Sequence, residues 1–298
     1  MCLPDGFVAR PLVPADAQAV FEVVAAAEAH DTGEAALQLE DVLGDWARGS
    51  FDLATESIGV WEGGRLAASG EVFKGRRADA AVRPDYRGRG IGTWVADWLE
   101  ECARSRGSRL VGQTVPGGSD AERFFVARGY REGWTSWVLQ VPAGTALEPQ
   151  PLPEGYGLRD FRGGEDGRTA FQLIEDAFNE WPDRDPARYE DWAPRGPLRP
   201  GFEPWQIRFV VDPQGTEVGV CYTILAPPTA YVDQVAVRRD HRGLGLARAL
   251  LVDAFERGRA HGATVSELAT DSRTGALGLY QHVGMAVTQT WRHWMTDL

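Results

Sequence analysis

Two short stretches decide the fold: Arg87-Gly88-Arg89-Gly90-Ile91-Gly92, and Arg242-Gly243-Leu244-Gly245-Leu246-Ala247. The second lies 155 positions after the first (242 − 87). Three further residues recur at the same offset, in the pairs Val82/Val237, Gly107/Gly262 and Gly129/Gly284. One register kept over so many landmarks predicts an internal duplication.

The two copies are joined by a proline-rich stretch, residues 141–153, whose composition is typical of a linker. A chain of 298 residues is long enough for two domains, each with its own core. We therefore predict two tandem domains, residues 1–148 and 149–298.

Each loop stands between a β-type run and a helical pattern. Residues 80–82 and 231–237 are short apolar runs typical of strands. After the first loop, Ile91, Val95 and Leu99 recur every four positions, which is one face of a helix. Gly107 and Gly262 stand where such helices would end. The pattern predicts the α/β class.

The glycines of each loop bring the backbone close to a ligand, and the first amides of the helix then form an anion site. Arg87, Arg89, Arg242 and Arg248 add groups that fit phosphate oxygens. The alternative is a tight turn in which the glycines serve geometry only. The loop recurs with arginines in both copies, which favours the phosphate site. Neither loop has the Gly-Lys-Ser/Thr of nucleotide triphosphate sites or the glycine spacing of dinucleotide sites.

Composition narrows the class of protein further. The net charge of −12 disfavours nucleic acid and mildly favours a cationic ligand, although it also serves solubility. Three scattered cysteines indicate neither disulfides nor a metal site. With no signal peptide or membrane span in the sequence, we expect a cytoplasmic protein.

The loops resemble the GCN5-related N-acetyltransferase (GNAT) superfamily, whose signature Arg/Gln-x-x-Gly-x-Gly/Ala both satisfy. The segment from Ala276 through Tyr280 to Gly284 resembles a second landmark of that family, on a late helix. Arg273 replaces an Asn that is frequent there, which removes one usual contact. The resemblance implies two tandem domains, each with a central mixed sheet flanked by helices, and acetyl-CoA as the acyl donor.

The resemblance also implies which residues contact acetyl-CoA. In the second copy these are Val235, Ala236, Val237, Arg242, Gly243, Leu244, Gly245, Leu246, Ala247 and Arg248. In the first copy they are Ala80, Ala81, Val82, Arg87, Gly88, Arg89, Gly90, Ile91 and Gly92.

Acetyl transfer to an amine needs a base for the ammonium proton and an acid for the departing thiolate. The resemblance implies that Tyr280 is the acid, against the alternative of a core tyrosine. Asp233 is the candidate base, because it lies in an apolar strand two residues from Val235; a structural ion pair is the alternative. The 155-residue register places Phe125 and Ala78 at these positions, so we expect catalysis in the second copy only.

We expect the acceptor, a small cationic amine, near Asn179, Glu180 and Trp181. In the alternative, the aromatic residues of this segment only anchor an irregular stretch. The predicted activity is acetyl-CoA-dependent N-acetylation, and the competing hypothesis is a non-catalytic acyl-CoA-binding or sensing protein. The sequence leaves the identity of the acceptor and the oligomeric state open.

Overall fold

The computed structural model describes residues 2–142, 145, 147–148, 150–180 and 186–298. The chain divides into two compact units. The first unit is Met1–Thr135 with Thr290–Leu298, and the second unit is Ser136–Gln289. Among the described residues, no helix is long and apolar enough to cross a membrane.

The first unit has a mixed sheet of strand order β1-β2-β3-β4-β5-β12, in which only the neighbours β4 and β5 are parallel. The strands are β1 (Val8–Arg10), β2 (Ser57–Glu62), β3 (Arg65–Phe73), β4 (Arg77–Val82), β5 (Leu110–Pro116) and β12 (Ala286–Asp297). The helices are α1 (Ala17–Thr32), α2 (Leu39–Trp46), α3 (Leu53–Glu56), α4 (Ile91–Ser105) and α5 (Asp120–Ala127).

The second unit repeats this plan with the order β6-β11-β10-β9-β8-β7, in which only β10 and β11 are parallel neighbours. The strands are β6 (Arg131–Gln140), β7 (Gly157–Asp160), β8 (Ile207–Val211), β9 (Glu217–Ala226), β10 (Thr229–Val237) and β11 (Val265–Asp271). The helices are α6 (Asp166–Phe178), α7 (Tyr189–Trp192), α8 (Leu246–Ala260) and α9 (Leu277–His282). The predicted α/β class with a mixed sheet and flanking helices is confirmed.

The helix that follows each loop packs on its sheet through the predicted face. Ile91, Val95 and Leu99 of α4 are buried against the sheet. Gly70 of β3 allows this close approach, because a Cβ there would lie 3.1 Å from Val95 Cγ1. Each such apolar side chain contributes about 1.5–3 kcal/mol on burial. The core therefore holds the helix start, and with it the loop, at a fixed place beside the sheet.

The last strand of each sequence copy completes the sheet of the other unit. From Trp291 to Asp297, β12 runs antiparallel to β5 of the first unit. From Ser136 to Gln140, β6 runs antiparallel to β11 of the second unit. The sequence repeat assigns β6 to the first copy and β12 to the second copy. The domain boundary between residues 148 and 149 describes this repeat and stays a prediction.

Candidate active site

The site in the second unit begins with an opening between two parallel strands. β10 and β11 pair from Thr229↔Val265 to Val232↔Leu268. β10 then continues to Val237, held on its other side by β9. Beyond Val232, alternate backbone amides and carbonyls of β10 therefore face the opening, where an extended ligand with amide groups can pair with them.

A β-bulge lies where the two strands separate. The register of β9 and β10 shifts by one residue between Val232 and Gln234, so Asp233 is the additional residue. Asp233 is half-buried. A bulge increases the local twist and interrupts the alternation of faces. The sequence argument that Asp233 shares a face with Val235 assumed regular alternation, so it no longer decides where this carboxylate points.

The glycine loop follows β10 and leads into α8. Gly243 and Gly245 have φ angles of 79° and 78°, in the left-handed region that favours glycine. Gly245 is the N-cap of α8, so the first amides of that helix lack partners within it and carry the positive end of the helix dipole. Gly88 and Gly90 have φ angles of 75° and 83°, so both units keep the same loop geometry.

The arginine that begins each loop is bound to a carboxylate. Arg242 donates from Nη1 and Nη2 to Glu180 at 2.8 and 2.9 Å, and from Nε to the carbonyl of Val237 at 3.0 Å. Arg87 donates to Asp31 in the same way, at 2.6 and 2.7 Å. These bonds lower the pKa of Glu180 and raise that of Arg87. Each guanidinium group therefore holds its own loop in place. A phosphate would be bound mainly by the backbone amides.

The second arginine near each loop, Arg89 within the first loop and Arg248 directly after the second, differs in its partners. Arg89 donates to Glu62 at 2.7 Å and lies over the rings of Phe7 and Tyr86. Arg248 lies in the first turn of α8, and its buried Nε has no hydrogen-bond partner among the described residues. A buried donor without an acceptor is costly, so the hydrogen-bonding capacity of Arg248 is not fully used within the described part of the protein.

Tyr280 of α9 is buried in the core of the second unit, in one cluster with Val237 and Cys221. Cys221 lies opposite Val235 in the β9–β10 register, so the phenol belongs to the core beneath the open part of β10. Burial raises the pKa of Tyr280 to about 12. Its hydroxyl is therefore protonated at neutral pH and available as a hydrogen-bond donor.

Two of the three predicted acceptor residues lie in the described part of the chain, and they have different partners. Asn179 follows the last turn of α6, and its Nδ2 donates to Oε1 of Glu175 at 2.9 Å. Glu180 is paired with Arg242. Trp181 lies outside the described residues. The carboxylate of Glu180 is thus engaged at the loop, which gives it a structural role that the sequence does not indicate.

A polar contact beside the bulge was missed by the sequence analysis. Trp192 of α7 donates from Nε1 to Oε1 of Gln234 at 2.7 Å, next to Asp233. Tyr222, which pairs with Gln234 across β9 and β10, is buried and donates to the carbonyl of Arg195 at 2.8 Å. The sequence signal for this contact was Gln234 itself, a polar residue inside an apolar strand.

The first unit differs at the positions of both candidate proton-transfer residues. β3 and β4 pair without a shift, with Ala78 opposite Val72. Asp233, as the additional residue of a bulge, therefore has no counterpart in the first unit, and Ala78 corresponds to Val232 instead of Asp233. Phe125 is buried with Tyr130 and Trp294 and carries no hydroxyl.

Paired strands that separate beside a glycine loop at a helix start define the class of acyl-CoA-binding transferases. The acetyltransferase (GNAT) family model matches residues 23–130 and 168–285, and the chain belongs to this family. The chain is therefore an N-acetyltransferase with acetyl-CoA as acyl donor.

Known proteins resemble the chain over most of its length. It is 30% identical to a mycothiol acetyltransferase of Geodermatophilus obscurus, over 94% of this chain and 95% of that protein. The crystal structure of a GCN5-related N-acetyltransferase from Sphaerobacter thermophilus superposes with a TM-score of 0.76 at 31% identity, covering 99% of this chain and 97% of that one. A tandem GNAT protein from the clavulanic acid biosynthesis pathway has a TM-score of 0.74 at 19% identity, with 98% of each chain covered, and shares the fold.

Proposed function

We propose that catalysis takes place in the second unit and that the acceptor is a primary amine of a small, cationic molecule. The observation that carries the proposal is Tyr280, a buried tyrosine in one core cluster with Val237, on the side of the sheet beneath the open part of β10. The first unit has Phe125 at that position. The cationic class of acceptor rests on the Asp233 carboxylate at the bulge and on the net charge of −12.

The residues of the second unit fit acetyl-CoA, which supplies an activated thioester. The amides that follow Gly243 and Gly245, together with Arg248, would hold the pyrophosphate. The backbone of Val235 and Val237 would pair with the amides of pantetheine. The buried, unpartnered Nε of Arg248 and the open edge of β10 both support this placement.

Asp233 is the proposed base. A lysine-like amine has a pKa of about 10, so it is an ammonium ion at neutral pH and must lose a proton before its nitrogen can attack. The carboxylate at the bulge accepts this proton directly or through one water molecule. This proposal is supported by the position of Asp233 in the chain, directly after Val232, the last residue of β10 that pairs with β11.

Tyr280 is the proposed acid. The new bond forms between the amine nitrogen and the carbonyl carbon, and the carbon–sulfur bond breaks with its electron pair moving to sulfur. The nitrogen loses a second proton after the attack and the departing sulfur gains one, so the products are the amide and the free thiol of CoA. The protonated hydroxyl of Tyr280 donates a hydrogen bond to that sulfur as its charge develops. A group that acts in this way contributes about 10²-fold or more to the rate.

The test combines purified full-length protein with acetyl-CoA and a panel of amines. The panel includes polyamines, aminoglycosides, amino acids and, because relatives are named mycothiol acetyltransferase, the unacetylated precursor of mycothiol. Acetylated product is identified by mass spectrometry. Tyr280→Phe should lower kcat about 10²-fold, whereas Tyr130→Phe, which removes a hydroxyl from the first unit, should leave it unchanged.

Two outcomes would contradict the proposal. An unchanged kcat in Tyr280→Phe would remove this residue as the acid. Binding of acetyl-CoA without product from any amine of the panel would favour the alternative of a sensing protein. Asp233→Asn separates the base from a structural role, because loss of a base is rescued in part by raising the pH and loss of packing is not.

A further inference from the structure

The first unit closes its own opening between β4 and β5 with a side chain. The two strands pair only at Arg77↔Gly112. Beyond that pair, Gln113 of β5 donates from Nε2 to the carbonyl oxygen of Ala80 on β4, at 2.7 Å. Gln113 and Ala80 are both half-buried, so this amide bridges the place where the strands separate.

The bridge occupies a backbone group that acetyl-CoA would need. Ala80 corresponds to Val235 in the 155-residue register, and Val235 is one of the residues proposed to pair with pantetheine. The amide of Gln113 is chemically equivalent to a pantetheine amide, since both donate an N–H to a strand carbonyl. A ligand entering the first unit must therefore displace an existing bond and leave the glutamine amide to find a new partner.

The second unit has no such group at the matching position. Leu268 stands there, and its hydrocarbon side chain cannot donate a hydrogen bond. It is buried in the core cluster that contains Tyr280 and Val237. One residue thus distinguishes an opening bridged by the protein from an opening left to a ligand, although both units keep the same glycine loop.

We propose that Gln113 takes the place of pantetheine in the first unit, so that this unit stays without acetyl-CoA and the chain binds one molecule, in the second unit. The inference goes beyond the proposed function, because it concerns the number and location of bound donors and involves no acetyl transfer. In this state the first unit is a GNAT fold in which a side chain of the protein itself makes the hydrogen bond to its open strand.

The experiment counts bound CoA by isothermal titration calorimetry on the full-length protein, with CoA itself as the probe. We expect one equivalent for the wild type and two for Gln113→Ala, which removes the bridge. Gln113→Leu, which introduces the residue type found at position 268, should also bind two. Thermal unfolding of each variant verifies that it is folded.

Hydrogen–deuterium exchange then locates the sites. CoA should protect only the start of α8 in the wild type, and the starts of both α4 and α8 in the two variants. Two equivalents in the wild type, or a single equivalent in both folded variants, would overturn the role of Gln113. Failure of CoA to bind the second unit would instead count against the proposed function, so the two failures are distinguishable.

Discussion

Glu180 holds Arg242 through both carboxylate oxygens, at 2.8 and 2.9 Å, and so ties the end of α6 to the loop that begins α8. The sequence placed these two residues in different roles, Glu180 with the acceptor and Arg242 with the phosphates. In the structure they instead form one ion pair, which fixes the loop. Asp31 and Arg87 form the corresponding ion pair in the first unit.

Glu180→Gln should raise the KM for acetyl-CoA and leave the KM for the amine unchanged, because the loop loses its ionic anchor. The pair is partly exposed, so its contribution is about 1 kcal/mol or less and the rise in KM about fivefold at most. Steady-state kinetics with each substrate varied in turn measures both constants. Asp31→Asn in the first unit is the matched control and should change neither. A rise in the KM for the amine alone would instead show that Glu180 belongs to the acceptor site.

The pH dependence of kcat should be flat on the alkaline side. Burial raises the pKa of Tyr280 to about 12, and the protonated hydroxyl is the form that acts. The active form therefore persists below that pKa and is lost only as the pH rises through it. We expect constant kcat between about pH 8 and about pH 10. An alkaline loss of kcat in this range that disappears in Tyr280→Phe would show that the tyrosine titrates much lower.

The sequence predicts those parts of the site that depend on local rules. Glycines at positive φ, a helix start and a four-residue apolar period are properties of short segments, so the first loop and the buried face of α4 follow from residues 87–99, and the second loop follows from residues 242–247. The duplication adds what one loop cannot show, namely that Tyr280 and Phe125 occupy matching positions.

Three features depend on distant contacts and were not predictable. The partners of the loop arginines, Asp31 and Glu180, lie 56 and 62 residues away in the chain. The bulge at Asp233 shifts the pairing register of β9 and β10 by one residue. The 155-residue offset is measured on residues after the bulge, so it does not reveal this shift. The exchange of final strands depends on which sheet edge accepts them, and both copies end in strands with a similar tryptophan pair, Trp134/Trp137 in β6 and Trp291/Trp294 in β12.

Glu71 of β3 is a buried carboxyl in the first unit whose pKa is raised to about 8, chiefly by burial. Trp46 donates from Nε1 to its Oε1 at 2.7 Å. Asp79 and Asp45 add negative charge that favours the protonated form, and Arg48 opposes them. The folded protein therefore binds a proton here that the unfolded chain, with an ordinary pKa of 4.5, releases earlier.

This difference makes the first unit less stable as the pH rises. The contribution of protonated Glu71 is fully present below about pH 4.5 and is lost as the pH rises through about 8. Glu71→Gln keeps an oxygen for Trp46 and removes the charge, so its thermal unfolding temperature should fall less between about pH 5 and about pH 9 than that of the wild type. The difference is about 1.4 kcal/mol per pKa unit, or several kcal/mol at most. Glu101→Gln, at an exposed position, should follow the wild type, and identical pH dependence in all three proteins would refute the buried charge.

Gly245→Ala and Gly90→Ala make the same change at matching places in the two loops, at φ angles of 78° and 83°. An alanine in the left-handed region costs about 1–2 kcal/mol, and at Gly245 its Cβ would also lie 3.1 Å from Nε2 of Gln150. The Gln150 side chain can move aside, but the backbone strain is relieved only by a shift at the start of α8, and the amides proposed to hold the pyrophosphate shift with it. Gly245→Ala should therefore lower kcat/KM for acetyl-CoA about tenfold or more, whereas Gly90→Ala should lower only the stability of the first unit. Kinetics and thermal unfolding of both variants make the comparison, and a larger kinetic loss in Gly90→Ala would place catalysis in the first unit.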